Sequence, residues 1–152
     1  MANNRYEAAL TIAAEQLDPE FSRADIEFEG VDHSGASYEG RVFLNNPRAD
    51  ATTPLTSEKG YAGTFHIFGH GGCFGDDEGH CTVRPRRAYD PRPAHQLTPA
   101  RKVVIATDAV RQALAQGPEV TVKVVPVVRA TTPKAGPEDV FSYERVSIVT
   151  YH

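Results

Sequence analysis

The segment Val120-Thr-Val-Lys-Val-Val-Pro-Val-Val128 is dense in valine and predicts the strongest strand of the chain. β-Branched side chains favour strands because a helix restricts them and a pleated surface packs them well. On its N-terminal side, residues 102–106 are predicted to form another strand, and residues 107–115 a short helix capped by Thr107 or Asp108. On its C-terminal side, residues 140–151 alternate like a further strand. This half of the chain is therefore predicted to be mainly β.

The N-terminal half carries the same period-two signal. Ile26 and Phe28 alternate with acidic residues, and residues 38–44 follow after a turn, so the two segments are predicted to pair as a hairpin. Residues 48–60 are typical of a long polar loop, and residues 61–70 resume an extended pattern. Residues 5–17 favour a helix by composition, whereas residues 6–12 also fit a half-buried strand, and the sequence leaves both open.

The pattern as a whole predicts a mainly β fold. Six or more short strands, long proline-rich loops and one or two short helices indicate an antiparallel β-sandwich or open barrel rather than alternating βα units. A length of 152 residues fits a single domain over residues 1–152, because such a chain buries roughly two thirds of the surface it exposes when unfolded. The strand edges of a sandwich allow a homo-dimer, which the sequence does not decide.

Composition narrows the classes of partner. Hydrophobic residues make up 40% and charged residues 24% of the chain, the balance of a folded protein. The net charge is −4, so no general attraction to nucleic acid or to an anionic membrane is expected. No stretch approaches the roughly 20 apolar residues of a membrane span, and the N-terminus lacks a signal-peptide pattern. The expected location is therefore cytoplasmic.

Residues 63–81 carry the clearest chemical signal, Gly-Thr-Phe-His-Ile-Phe-Gly-His-Gly-Gly-Cys-Phe-Gly-Asp-Asp-Glu-Gly-His-Cys. They contain three of the six histidines and both cysteines. Strand alternation places His66, Phe68 and His70 on one face, and Phe65 and Ile67 on the other. Imidazole and thiolate are the usual protein ligands of zinc and copper. The candidate metal ligands are therefore His66, His70, Cys73, His80 and Cys81.

The two cysteines also have structural interpretations. Their spacing relative to the histidines fits no standard zinc pattern. A disulfide between Cys73 and Cys81 that closes a short glycine-rich loop, or two unbonded thiols, is the structural alternative that this poor match favours. Gly69-His-Gly-Gly72 resembles the oxyanion loop of esterases, but the Gly-x-Ser-x-Gly elbow that accompanies it is absent. No catalytic residue is assigned, and the chain is not expected to be an enzyme by itself.

Several motifs occur in a characteristic order. Arg41-Val-Phe-Leu-Asn45 is followed by Tyr61-Ala-Gly-Thr-Phe65 and then by His70. This order resembles the C-terminal β-domain that follows the copper domain of tyrosinases and polyphenol oxidases. That domain has a strand ending in Asn and an Ala-Gly-Ser-Phe-type strand leading to a His. The glycine-rich segment 68–76, together with Gly79-His-Cys81, is similar to the version in bacterial tyrosinase-like chains, and the resemblance covers residues 38–151.

The resemblance implies a role without catalysis. The oxidase domain of that family holds two coppers through six histidines on a helical bundle, whereas the histidines here lie mostly in predicted strands and loops. The implied function is an accessory domain that packs on a tyrosinase-like type-3 copper oxidase domain, in the same chain or another, and shields its copper site or supports its folding. In relatives a bulky side chain fills the active-site entrance, and no motif identifies its equivalent here. The alternative is a small copper- or zinc-binding protein that uses residues 66–81.

Overall fold

A computed structural model defines the architecture. It describes residues 7–11, 17, 20–33, 35–69, 88–89, 99–128 and 141–152, with the backbone alone for residues 7–11. The strands within these ranges are β1 (Glu7–Thr11), β2 (Arg23–Val31), β3 (Tyr38–Leu44), β4 (Tyr61–Ile67), β5 (Ala100–Ile105), β6 (Glu119–Val128) and β7 (Arg145–Tyr151). The α-helix α1 spans Thr107–Ala115, and a 3₁₀ helix spans Ser57–Lys59. The predicted mainly β, antiparallel fold with one short α-helix is confirmed.

The strands form two antiparallel sheets. The large sheet has the order β1-β6-β3-β4, and the small sheet has the order β5-β2-β7. In the large sheet Val42 lies opposite Val124 on one side and Gly63 on the other. In the small sheet β2 is central, with Ile26 opposite Val104 and Ile148. Within the described ranges, no helix is long and apolar enough to cross a membrane.

The core lies between the two sheets and under α1. Ile26 and Phe28 from the small sheet pack with Val42, Phe65 and Val124 from the large sheet, and all five are buried. The helix α1 adds Val110 and Ala113 to this cluster. Fully burying a large apolar side chain stabilises the fold by about 1.5–3 kcal/mol relative to leaving it exposed. The alternation seen in the sequence therefore determines which face of each strand meets the core.

An aromatic cluster fills the centre of the core. The rings of Phe28 and Phe65 have centroids 5.2 Å apart, and Phe141 lies 6.0 Å from Phe28 and 5.8 Å from Phe65. Tyr38 and Tyr143 complete the cluster in edge-on and tilted contacts. Phe141 precedes β7 and is outside every regular element, so its burial follows from the tertiary fold.

The loop after β3 packs on the large sheet. Phe43 and Val125 point away from the main core and form a second small cluster with Ala49, which is also buried. Asn45 begins the loop in the left-handed conformation at φ 54, and its side-chain oxygen accepts a hydrogen bond from the backbone of Thr121 at 2.9 Å. The predicted long polar loop is confirmed, and it is held against the sheet at its start.

The structure corrects two of the sequence predictions and decides a third that was left open. The hairpin predicted from residues 26–44 is wrong, because β2 pairs with β5 and β7, whereas β3 pairs with β4 and β6. The open choice at the N-terminus resolves to a strand, β1. The predicted cap of α1 is also wrong: Ala106 is the N-cap, and Thr107 Oγ1 instead accepts a hydrogen bond from the backbone of Ala24 at 3.2 Å.

Candidate functional site

The described part of the predicted His/Cys site is the end of β4. Phe65 and Ile67 are buried in the core, whereas His66 points outward with 61% of its side chain exposed. Phe68, one residue beyond the strand, is 83% exposed. The predicted alternation that separates His66 and Phe68 from Phe65 and Ile67 is confirmed.

His66 has an acidic neighbour across the sheet. It lies opposite Glu39 in the register of β3 and β4, with His66 Nε2 3.9 Å from Glu39 Oε1. The other oxygen of Glu39 accepts a hydrogen bond from Arg41 Nη2 at 3.3 Å. A pair this exposed is worth at most about 1 kcal/mol even when the imidazole is protonated. The imidazole of His66 is exposed to solvent, and this weak pair does not fix its position.

The other four predicted ligands are outside the described residues. They are His70, Cys73, His80 and Cys81, so the metal site and its competing disulfide both stay predictions. Across the residues that the structure does describe, no group of three or more His, Cys, Asp or Glu side chains is placed to hold a metal ion. The geometry thus provides one accessible imidazole at the point where the chain leaves β4.

The chain is anchored where it leaves β4. The backbone N–H of Gly69 donates a hydrogen bond to Ser37 Oγ at 2.9 Å. A β-carbon at Gly69 would overlap the backbone of Gly35 and Ala36, so this close approach requires glycine. The segment that carries the candidate ligands therefore starts from a defined point beside the β2–β3 connection.

A shallow groove of about 110 Å³ separates α1 from the loop that precedes β4. Hydrogen bonds cross it between the loop and the helix. Asn45 Nδ2 donates to Gln116 Oε1 at 3.1 Å, and Gln112 Nε2 donates to the carbonyl oxygen of Ser57 at 2.9 Å. These bonds hold the loop against the helix, so the groove is a packing junction.

The outward side of the small sheet carries an unusual set of residues. We call it the small-sheet face, and it comprises the outward side chains of β2, β5 and β7. Asp25 and Glu27, in the central strand, are only 1% and 7% exposed although they point away from the core. Asp25 accepts hydrogen bonds from Arg23 Nε at 2.7 Å and Nη2 at 2.8 Å. Glu27 accepts one from Arg101 Nη2 at 2.6 Å.

The flanking strands add apolar side chains to this face. Ile105 lies opposite Asp25 and Val103 opposite Glu27, and they are 62% and 41% exposed. Tyr151, 42% exposed, lies opposite Arg23, whose guanidinium is 5.5 Å from the centre of its ring. The sequence analysis did not identify this face. The sequence did show acidic residues alternating with Ile26 and Phe28. The same pattern is found in any strand with one solvent-exposed face.

The fold defines a class of relatives. Solved structures that share it include polyphenol oxidases, and the likeness extends over almost all of this chain. No protein-family model matches the chain, and the search of curated proteins finds no match.

Among these similar structures are those of latent aurone synthase, a polyphenol oxidase. A recombinantly expressed form has a TM-score of 0.55 and 15% sequence identity, over 97% of this chain and 24% of its own. The enzyme from natural source has a TM-score of 0.51, with the same identity and coverage. At this identity the likeness shows a shared fold, and the chain spans about a quarter of the length of these oxidases.

Proposed function

We propose that this chain is a non-catalytic accessory domain that packs on a tyrosinase-like type-3 copper oxidase domain, in the same chain or another, and shields its active site. The observation that carries the proposal is the shared fold over 97% of this chain with part of a polyphenol oxidase. About three quarters of that oxidase lies outside the match, since the match covers 24% of it. A module of this fold is therefore found within a larger oxidase.

The state of those relatives supports a shielding role. The matched structures are of aurone synthase described as latent. A module that limits access to the copper site is one way in which an oxidase is held inactive. The motif order of residues 38–151, which resembles the domain after the copper domain, agrees with this interpretation.

Catechol oxidation tests the proposal directly. The chain is purified and mixed with the tyrosinase-like copper domain encoded with it or nearest to it in its source genome. We expect no turnover by the chain alone with added copper, a 1:1 complex on size exclusion, and at least tenfold slower oxidation by the copper domain when the chain is in excess. An unrelated β-sandwich of similar size is the control.

Two results would overturn the proposal. One is catechol oxidation by the isolated chain. The other is unchanged oxidation by the copper domain together with no complex at micromolar concentration.

We propose metal binding at residues 66–81 as the second candidate function. It is favoured by the exposed imidazole of His66 on the strand that leads to His70, Cys73, His80 and Cys81. Thiolate and imidazole ligands select copper or zinc over hard cations. The chain would then store or deliver the metal.

A further inference from the structure

On the small-sheet face each arginine is more exposed than the acid with which it pairs, including Arg145 at 67% beside Glu29 at 38%. The side chain of Asp25 is 2% exposed and that of its partner Arg23 is 50% exposed. The side chain of Glu27 is 9% exposed and that of its partner Arg101 is 60% exposed. The positive and negative charges are equal in number. An approaching molecule nevertheless meets mainly the positive ones, because the arginines are the more exposed partners.

The arginines keep free donors in these pairs. A guanidinium has five N–H groups in one plane, and a carboxylate engages at most two of them. Arg23 uses two on Asp25, and Arg101 uses one on Glu27. A third arginine, Arg145, is 67% exposed and uses one nitrogen on Glu29. Among the described residues, no further hydrogen bond occupies the remaining N–H groups of these three arginines.

Apolar side chains lie among these donors. Ile105 and Val103 stand beside the buried carboxylates on β5, and they are among the large apolar side chains most exposed in the described ranges. An apolar centre with arginines around it is the composition of a protein interface, because arginine and aromatic residues are enriched there and lysine is depleted. Covering this face does not strand a carboxylate of β2, because Asp25, Glu27 and Glu29 are each paired with an arginine.

We propose that the small-sheet face is the surface by which this chain docks on the oxidase domain, and that the oxidase domain meets it with an apolar patch bordered by carboxylates. This inference rests on the proposed function and specifies its interface. Charge complementarity selects the partner, because a surface of outward N–H donors attracts acceptors and repels other cations. A second copy of this chain is a poor occupant, since two such faces bring donors against donors.

The test measures binding of the copper domain by titration calorimetry. The main variant is the double substitution Val103→Ser with Ile105→Ser, which removes the apolar centre and keeps every charge. We expect binding to weaken at least tenfold. The matched control is Leu55→Ser, because Leu55 is 45% exposed and lies in the loop before β4. The control should bind within twofold of the wild type.

A second variant probes the charges and does not depend on the first. Arg145→Gln removes one exposed cation, and we expect it to weaken binding and to reduce the dependence of affinity on salt concentration. Thermal unfolding of each variant confirms that the fold is intact before binding is compared.

The outcomes separate the two proposals. If the wild-type chain does not bind the copper domain, the proposed function fails. If it binds and both face variants bind as tightly as the wild type, the function stands and the docking face is wrong. If the chain dimerises in sedimentation and the double variant is monomeric, the face is an interface between copies, which also overturns the inference.

Discussion

Phe65 and Phe68 are three residues apart and have opposite environments. Phe65 is buried among Phe28, Phe141 and Tyr38, whereas Phe68 is 83% exposed. The ring of Phe65 also covers Gly40 on the neighbouring strand, where a β-carbon would overlap it. Residues an odd number of positions apart point to opposite sides of a strand. The position along the chain therefore decides whether an aromatic side chain packs in the core or lies on the surface.

This contrast gives a prediction for stability. Phe65→Ala should destabilise the fold by about 3–5 kcal/mol, because it removes a buried ring and leaves a cavity. Phe68→Ala should change the free energy of unfolding by less than about 0.5 kcal/mol, as expected for a surface side chain. Urea unfolding measures both variants. Equal costs at the two positions would contradict the packing described for β4.

The two sheets meet where β4 lies against β5. Gly63 of β4 faces Val104 of β5, and a β-carbon at Gly63 would overlap Val104 Cγ1. Gly63 also has φ 151, outside the usual range of other residues. This contact brings the large sheet close to the edge of the small sheet. The close spacing of β4 and β5 therefore depends on the lack of a side chain at Gly63.

Gly63→Ala tests this contact, with Gly117→Ala as its matched control. Both glycines have φ close to +150, so the backbone strain of alanine is similar at the two sites. Nothing lies within 4 Å of a β-carbon at Gly117. We expect Gly63→Ala to cost about 1–3 kcal/mol more than Gly117→Ala, the usual penalty of overpacking. Thermal and urea unfolding provide the comparison, and a smaller cost at Gly63 would contradict the close approach.

At the scale of the whole molecule, the fold is shared with part of a much longer oxidase, and the His/Cys segment is attached to one end of β4. The two candidate functions use different parts of the chain. The accessory function needs an interface, and the small-sheet face offers one. The metal-binding function needs His66 together with ligands that lie beyond the described residues.

The metal-binding function is tested by the metal content per chain. It is measured together with a count of free thiols, on protein purified without chelator. That function predicts close to one copper or zinc per chain, with thiols that react only after chelation. Cys73→Ala with Cys81→Ala should then abolish binding, and His66→Ala should weaken it. A metal-free chain with no reactive thiols would indicate a disulfide between Cys73 and Cys81 and contradict the metal site.

The sequence alone determined the local features. The valines of residues 120–128 predicted β6, and alternation predicted the two faces of β4. The capping residues Thr107 and Asp108 predicted a helix over residues 107–115, which is α1, although neither residue is its N-cap. These predictions succeed because the direction of a side chain depends on the backbone next to it, so periodicity records burial directly. For the candidate site, only the outward position of His66 is confirmed, and the four co-ligands proposed for it stay predictions.

Only the tertiary structure decided which strands pair and which polar residues are buried. β2 pairs with β7 from the far end of the chain, with Arg23 opposite Tyr151, rather than with β3, which follows it directly. Glu27 is buried beside Arg101 from another strand, and Phe141 enters the core from a segment outside every regular element. Such contacts join residues that are distant in sequence, and their free energy depends on the whole arrangement, so no local pattern encodes them.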